Sequence, residues 1–302
     1  CDWTDYRREV QEPRVTYDSI TGLPLDAKLV EEAMDKELQQ AKEFDVWTGV
    51  PMQECWDVTG AAPIGTTWAI VNKGDLENPE IRARLCAQEL KIQDPGREDV
   101  FAPTPPMEGL RMVFSFGMTA SQDRDEPLCY MILDATRAHW HSPATRPVYI
   151  RFPAGVGKPG ECGRLNKSMY GTRDAPAAWQ KMLGRVMKSL GFVACRSVPC
   201  LYVHSPRDLK VVIHVDDFLM SGQAPDLEWA EAELSKSFSL KSQNLGGGPS
   251  CVKEAKFLNR TVRWTPEGLE LEGDAKHLDI LINEWNMAES KTYSTPGVKS
   301  PK

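Results

Sequence analysis

The chain has 302 residues, 41% of them hydrophobic, which is enough for one large domain or for two domains of about 150 residues each. This hydrophobic content excludes global disorder, and no apolar run approaches the roughly 20 residues that a membrane-spanning helix needs. The net charge of −7 argues against a uniformly basic nucleic-acid-binding protein.

The N-terminal stretch 1–11 is charged, so no signal peptide is recognised, and the absence of an initiator Met is typical of a fragment or a processed piece. The eight cysteines form no CxxC pair and no Cys/His array with zinc-finger spacing. They are therefore interpreted as buried free thiols in a reducing compartment.

The first half of the chain mixes one clear helix with short strands. Residues 1–24 lack periodicity and are predicted to be an extended lead-in. An apolar stripe from Leu29 to Phe44 predicts a helix over 26–44, with Asp26 as its N-cap. Short strands are predicted within 45–75, including 66–71, and a charged, Pro-rich segment over 76–106. A second helix is predicted over 108–119.

The second half continues this alternation, which indicates an α+β fold with antiparallel strands. Asp174 is predicted to cap a helix over 175–190 that Gly191 ends. Further strands and helices are predicted, in chain order, as strand 128–133, strand 148–152, strand 201–203, strand 211–215, helix 226–238, strand 257–264, strand 269–271 and helix 274–287. The residues Pro266-Glu267-Gly268 indicate a hairpin turn between the last two strands.

A basic block interrupts the acidic chain. Residues 146–210 contain twelve Lys or Arg and three Asp or Glu, a local excess of nine positive charges. Such a block suits a phosphate-binding surface, and a solvated face is the alternative.

Two carboxylate features carry the chemistry. Asp216 and Asp217 lie between the apolar runs 211–215 and 218–220, which predicts a position at the tip of a tight hairpin, although such pairs are often only turn residues. Asp134 directly follows a predicted strand, and strand-end carboxylates of neighbouring strands can converge. Close like charges need a divalent cation or a proton between them. Two Mg²⁺ ions about 3.5–4 Å apart could then activate an attacking hydroxyl and stabilise a pyrophosphate leaving group.

The surroundings of these carboxylates resemble copia-type retrotransposon reverse transcriptases, over roughly residues 17–297 and in the family's order. The stretch 214–217 is similar to the family's Tyr-x-Asp-Asp box, and 134–139 with 148–155 resembles its first-aspartate motif. The long stretch 165–179 is similar to its Leu-x-Lys-Ser-Leu-Tyr-Gly signature. Shorter resemblances lie at 82–87 with 101–103, at Phe257-Leu258 and at 294–296.

The resemblance implies an α+β right-hand polymerase: an N-terminal lead-in over 1–24, fingers and palm over 25–264, and the start of a thumb over 265–302. It implies RNA- and DNA-templated synthesis from deoxynucleoside triphosphates, with two Mg²⁺ ions, or Mn²⁺, held by Asp134, Asp216, Asp217 and the carbonyl of Ala135. Implied nucleotide contacts are Arg82, Arg84, His139, Tyr170 and Gly171, and implied template–primer contacts are Lys167, Arg173, Phe257, Leu258 and Asn259.

The resemblance also implies an intracellular location, in the cytoplasm, a virus-like particle or the nucleus, without membrane association. Integrase and RNase H regions, which accompany such enzymes in a Pol polyprotein, are not recognised in this sequence. The alternative is a catalytically inactive remnant that only binds nucleic acid or protein. The sequence departs from the family pattern at four positions, with His139 for an aromatic steric gate, Asp174 for Gln, His214 for Tyr and Asn259 for Gly.

Overall fold

The computed structural model describes residues 15–75, 77–90, 96, 100, 102–121, 128–273 and 275–291. Residue contacts divide the chain into two compact units. Unit 1 comprises Cys1–Thr104, Ala135–Val193 and Glu233–Ser239, and unit 2 comprises Pro105–Asp134, Ala194–Ala232 and Leu240–Lys302. Each unit is therefore made of three separate segments of the chain. The division into a lead-in, a fingers–palm region and the start of a thumb stays a prediction.

The helices of the described residues are α1 (Ala27–Glu43), α2 (Met52–Thr59), α3 (Met107–Ser121), α4 (Ala138–His141), α5 (Ala175–Ser189), α6 (Ala224–Ser235) and α7 (Ala275–Glu284). The strands are β1 (Trp47–Pro51), β2 (Thr66–Asn72), β3 (Ile81–Ala87), β4 (Cys129–Ala135), β5 (Tyr149–Ile150), β6 (Glu161–Leu165), β7 (Val193–Ala194), β8 (Leu201–His204), β9 (Leu209–His214), β10 (Asp217–Gly222), β11 (Leu240–Leu245), β12 (Glu254–Phe257), β13 (Arg260–Thr265) and β14 (Gly268–Glu272). Antiparallel pairing and separate helices confirm the predicted α+β class. No helix in the described part of the chain is both long and apolar enough to cross a membrane.

In unit 1, α1 begins as predicted. The Asp26 carboxylate accepts hydrogen bonds from the backbone N–H groups of Lys28 and Leu29, both at 3.0 Å, which satisfies donors that have no partner inside the helix. Val30 and Ala41 lie on the buried face of α1. The helix contacts β3, so its apolar stripe covers the β2–β3 hairpin.

The β2–β3 hairpin shows where the predicted organisation was wrong. Strand β3 lies in the segment that was predicted only as charged and Pro-rich, and α2 replaces part of a region predicted as strands. In β3 the polar Arg82 and Arg84 alternate with the buried Ala83, Leu85 and Ala87. This period of two is that of a strand with one buried face, and the arginine charges masked it.

The segment before α1 is attached to the same hairpin. The carboxylate of the buried Asp18 accepts hydrogen bonds from the backbone N–H groups of Asn72, Ile20 and Thr21 at 2.6–2.8 Å. The bond from Asn72 contributes most, and together the three bonds lower the pKa of Asp18 to about 2. Part of the predicted lead-in is therefore held against β2 by a charged acceptor.

Helix α5 begins at the predicted residue and ends one residue before the predicted end, but the prediction that Asp174 caps it is wrong. Asp174 stands at the N-cap position with φ −90° and ψ −8° and makes no side-chain capping bond, because N-caps normally need an extended backbone. Its buried carboxylate instead accepts a hydrogen bond from Thr145 at 2.6 Å and pairs with Arg146 at 3.3 Å. Gly191, with φ +90°, ends the helix as predicted.

Unit 2 is built on a six-stranded sheet with the strand order β11-β4-β10-β9-β8-β7. Its central strands carry the apolar runs predicted as strands, and Phe218, Leu219 and Met220 of β10 are fully buried. Helix α3 covers one face of this core, where Gly117 lets the helix approach the ring of Tyr130. An added Cβ at Gly117 would lie 2.4 Å from the Tyr130 hydroxyl oxygen.

The C-terminal part of unit 2 forms a β12-β13-β14 sheet. The predicted turn at Pro266-Glu267 is confirmed, but the predicted strand 257–264 is wrong, because Leu258 and Asn259 form a second turn with φ +49° and +58°. Helix α6 starts two residues earlier than predicted and ends at Ser235. Leu278 and Leu281 of α7, and Trp285 directly after it, are exposed.

Candidate active site

The Asp216-Asp217 pair lies at a hairpin tip in unit 2, as predicted. Strands β9 and β10 are joined by the two residues Val215 and Asp216, and His214 pairs with Asp217 across the turn. Val215 has φ +56°, a conformation that is strongly unfavourable for a β-branched residue. Backbone strain of this kind costs on the order of 1–3 kcal/mol and is characteristic of functional sites.

The third carboxylate is brought to the same place by strand register. Strand β10 pairs with β4 in antiparallel orientation, and Asp217 stands directly opposite Asp134. Residues opposite each other in such a ladder have Cα atoms about 4.5–5.5 Å apart and side chains on the same face of the sheet. Asp134, Asp216 and Asp217 are thus neighbours although 82 residues separate the first from the second.

The electrostatics of this cluster are unfavourable in the absence of a cation. Asp217 is half-buried, and its pKa is raised to about 6 by burial first, and then by the charges of Asp216 and Asp134. A divalent cation would relieve this repulsion, and hard carboxylate oxygens are the ligands that Mg²⁺ prefers.

The cluster is not a closed ligand set. In the part of the chain that the structure describes, no three His, Cys, Asp or Glu side chains are gathered so that they could hold a metal ion. The residue types and their crowding fit a divalent cation, but the carboxylates would have to turn toward it. Ala135, whose carbonyl was predicted as a ligand, ends β4 with its side chain buried.

A second group of predicted residues meets in unit 1 around Tyr170. The guanidinium of Arg84 lies over the Tyr170 ring, 4.6 Å from its centroid, and the His139 ring contacts the same ring edge-on at 5.1 Å. Cation–π and edge-to-face contacts of this kind orient the rings. Arg82, two residues before Arg84 on the same face of β3, is exposed.

Gly171 is required by this packing. Its φ is +84°, and a Cβ atom would lie 1.9 Å from the carbonyl oxygen of Ala87. The Ala87 N–H also donates a hydrogen bond to the Tyr170 carbonyl at 2.7 Å, so the end of β3 and the 170–171 backbone are in direct contact. Only glycine allows both the positive φ and this approach.

A buried ion pair next to His139 was missed by sequence reasoning. Arg137 donates to Glu37 of α1 at 2.9 Å, lies over the Trp140 ring and has φ +53° at the start of α4. Glu37 is only 3% exposed. Its position on the apolar stripe of α1, four residues before Ala41, was the signal that could have identified it as buried.

The predicted template–primer contacts are divided between the two units. Lys167 and Arg173 are half-buried in unit 1, and the Arg173 backbone N–H donates to Glu89, which also pairs with Arg146.

In the basic block over 146–210, four side chains have carboxylate partners, namely Arg146, Arg164, Arg207 and Lys210. Their ion pairs reduce the positive charge that is available to bind phosphates.

In unit 2, the Phe257 side chain is in the core, whereas Leu258 and Asn259 form the tip of the β12–β13 hairpin. Asn tolerates the left-handed conformation that this turn requires, which explains why Asn259 can stand where the family pattern has Gly.

The comparison with protein families decides the assignment. The model of the family described as reverse transcriptase (RNA-dependent DNA polymerase) matches residues 53–299, most of the chain. The chain belongs to the reverse transcriptase family. This membership agrees with the resemblance found in the sequence and with retrotransposon relatives.

These relatives are much longer than the chain. It is 26% identical over 277 residues to a retrovirus-related Pol polyprotein from transposon TNT 1-94 of Nicotiana tabacum, and 28% identical over 262 residues to one from transposon RE1 of Arabidopsis thaliana. The alignments cover 87% and 82% of this chain but only 19% and 17% of the relatives. Among solved structures, Candida albicans telomerase is similar in fold, with a TM-score of 0.50 at 10% identity over 86% of this chain and 54% of the telomerase chain.

Proposed function

We propose that this chain is an RNA-directed DNA polymerase that transfers a nucleotide from a deoxynucleoside triphosphate to a primer 3′-hydroxyl on RNA or DNA templates. The observation that carries the proposal is the pairing of Asp134 with Asp217, with Asp216 in the adjoining turn. Burial, and then the charges of Asp216 and Asp134, raise the pKa of Asp217, and a divalent cation stabilises such a cluster of carboxylates.

Asp134, Asp216 and Asp217, with the Ala135 carbonyl, would hold Mg²⁺, or Mn²⁺ in its place, as two ions. When bound, such ions lower the pKa of the attacking hydroxyl and stabilise charge on the leaving pyrophosphate. The protein's contribution is to hold Asp216 in a two-residue turn and to set Asp134 and Asp217 opposite each other on paired strands.

The residues around Tyr170 in unit 1 would bind the incoming nucleotide. Arg82 and Arg84 offer planar guanidinium groups suited to a triphosphate, and Arg84 is already oriented by the Tyr170 ring. Tyr170 and Gly171 offer an aromatic edge and accessible backbone for a base pair, and His139 contacts the same ring, where the sugar would lie. The predicted steric gate is therefore held from one side by Tyr170.

Lys167, Arg173, Leu258 and Asn259 would contact the template–primer duplex, with Phe257 acting from the core to hold the hairpin. The backbone-directed contacts of Lys and Arg make affinity fall with salt, by a slope of about −0.9 in logarithmic units per phosphate neutralised. The Pol relatives are several times longer than this chain. Integrase and RNase H would therefore be partner domains in a longer polyprotein, and we assign neither function to this chain.

The test is primer extension on poly(rA)/oligo(dT) with Mg²⁺ or Mn²⁺, comparing the natural sequence with Asp216→Asn. The matched control is Asp279→Asn, which removes an exposed carboxylate of the same unit. We expect the control to extend primers normally and Asp216→Asn to lose at least about 100-fold in rate, equivalent to about 2.7 kcal/mol of barrier. An active Asp216→Asn variant would show that the carboxylates were misassigned, and an inactive natural chain with an unchanged fold would favour the remnant.

A further inference from the structure

Two cysteines that are distant in the sequence meet in unit 2. Cys129, the buried first residue of β4, and Cys251, half-buried just before β12, have sulfur atoms 3.7 Å apart across 122 residues of chain. The Cys251 thiol donates a weak hydrogen bond to the Cys129 sulfur. A disulfide needs about 2.05 Å between sulfurs, so the two atoms would have to approach by less than about 2 Å.

A glycine loop before Cys251 lies against both thiols. Gly246, Gly247 and Gly248 stand three to five positions before Cys251 in the sequence. A Cβ added at Gly246 would lie 3.3 Å from the Cys129 sulfur, and one at Gly248 would lie 3.5 Å from the Cys251 sulfur. The Lys253 ammonium donates hydrogen bonds to the carbonyls of Gly246 and Gly247 at 2.7 and 3.0 Å and so holds this loop beside the thiols. The remaining approach of the two sulfurs would come from rotation of the cysteine side chains.

The thiol pair is also accessible to a small molecule. A cavity of about 190 Å³ is lined by both cysteines together with Leu227, Asn244 and Pro249. Inside it, the buried Asn244 Oδ1 has no hydrogen-bond partner in the described part of the chain. The cavity gives a small reagent a route to the thiols, and of the two Cys251 is the more exposed.

We propose that Cys129 and Cys251 form a thiol modification site that takes small-molecule disulfides, such as oxidised glutathione, and closes into an intramolecular disulfide. The Cys251 thiolate attacks one sulfur of the reagent, forms a mixed disulfide and releases one thiol. The Cys129 thiolate then attacks the Cys251 sulfur, forms the protein disulfide and releases the second thiol. Two protein thiols are oxidised and one reagent disulfide is reduced to two thiols, so atoms and electrons balance.

The chemistry of the two thiols sets this order. Burial first, and then the neighbouring Cys251 thiol, raise the pKa of Cys129 to about 11, while the charge of Lys253 opposes this rise. Cys129 is therefore a poor first nucleophile, because the thiolate is the reactive form. Once Cys251 carries the reagent, the resolving attack needs only local deprotonation at a sulfur already in contact.

The site is separate from the carboxylate cluster. Cys129 pairs with Gly222 at one end of the β4–β10 ladder, and Asp134 pairs with Asp217 at the other. Five residues of strand place the two ends roughly 17 Å apart. The disulfide would tie β4 to the segment that leads into β12, and so restrain the β12–β13 hairpin without altering a proposed metal ligand.

The experiment treats the full chain with excess oxidised glutathione, blocks the remaining thiols, and maps disulfides by mass spectrometry without reduction. The variants are Cys251→Ser, Cys129→Ala and, as a matched control, Cys195→Ser, which removes another half-buried thiol of the same unit. Hydrogen bonds from the Val198 backbone and Ser197 lower the pKa of Cys195, so this thiol reports unspecific modification. Circular dichroism verifies that each variant is folded.

We expect the natural chain and Cys195→Ser to lose two hydrogens and to yield a peptide pair joined through Cys129 and Cys251. Cys251→Ser should form no internal disulfide, and Cys129→Ala should keep glutathione on Cys251, because the resolving thiol is missing. The proposal is overturned if the natural chain carries only mixed disulfides, or if Cys251 stays a free thiol while Cys195 reacts. The peptide map of the natural chain decides the matter even if Cys129→Ala does not fold.

Discussion

The burial of Asp217 beside two other carboxylates predicts that the protein loses stability as pH rises through about 4 to 6. The ordinary pKa of an aspartate is 3.8, and burial with the charges of Asp216 and Asp134 raises that of Asp217 to about 6. Below about pH 4 both the native and the unfolded chain are protonated at this site, so it contributes nothing. Between about pH 4 and pH 6 the native chain retains a proton that the unfolded chain has released, so stability falls as pH rises, and the full deficit persists above pH 6.

The magnitude follows from the same values. One pKa unit corresponds to about 1.4 kcal/mol, so the rise from 3.8 to about 6 amounts to about 3 kcal/mol. Asp217 is half-buried and solvent screens part of its interactions, which leaves about 2–3 kcal/mol. The Asp217→Asn variant cannot ionise there and should lack this deficit.

The assay is urea unfolding in EDTA between about pH 4 and pH 7.5, with Asp279→Asn as an exposed control in the same unit. We expect the stability of Asp217→Asn relative to the natural chain to increase by about 2–3 kcal/mol across this range, and the control to run parallel to the natural chain. Added Mg²⁺ should stabilise the natural chain at pH 7 and stabilise Asp217→Asn less. Parallel curves for the natural chain and Asp217→Asn would refute the idea that the carboxylates are crowded.

Three further outcomes are expected. Gly171→Ala should destabilise the protein by about 2 kcal/mol or more in thermal melting, because its Cβ would meet the Ala87 carbonyl at 1.9 Å and its φ is positive; an unchanged melting temperature would contradict this packing. Asp18→Asn should remove a stabilisation that is present above about pH 4 and lost as pH falls toward 2, since the N–H of Asn72 and two others hold the carboxylate ionised; urea unfolding at both ends of that range measures it. His139→Phe should raise the preference for deoxynucleotides over ribonucleotides in primer extension, because an imidazole is smaller and can hydrogen-bond a 2′-hydroxyl; equal selectivity would remove His139 from the gate.

Local patterns were sufficient for many elements. The apolar stripe of α1 and the unbroken apolar runs of β9 and β10 identified these elements within one or two residues, because burial alone determines such patterns. The hairpin tip at Asp216 followed from the junction of two apolar runs. Strand β3 was missed because its exposed arginines hid a strand period of two.

Long-range partners could not be predicted from local patterns. The register that sets Asp134 opposite Asp217 joins distant strands, and only the family resemblance suggested their convergence. The same holds for Glu37 with Arg137, and for Asp174, which looked like a helix cap and is instead buried against Arg146. An N-cap signal in sequence specifies a residue type, whereas the backbone angle that decides the cap depends on the packing around it.

The position of the carboxylates in the sheet explains how the fold tolerates them. The turn at Val215 costs on the order of 1–3 kcal/mol and the crowding at Asp217 about as much. Strand β10 lies between β4 and β9, and its Phe218, Leu219 and Met220 are fully buried directly after the pair. Burying each such side chain contributes about 1.5–3 kcal/mol, which offsets both local costs. A strand in the middle of the sheet is hydrogen-bonded on both sides and can therefore hold an unfavourable cluster at its end. An edge strand has only one hydrogen-bonded neighbour and would be displaced more easily. The central position of β10 is thus one of the features that maintain the site.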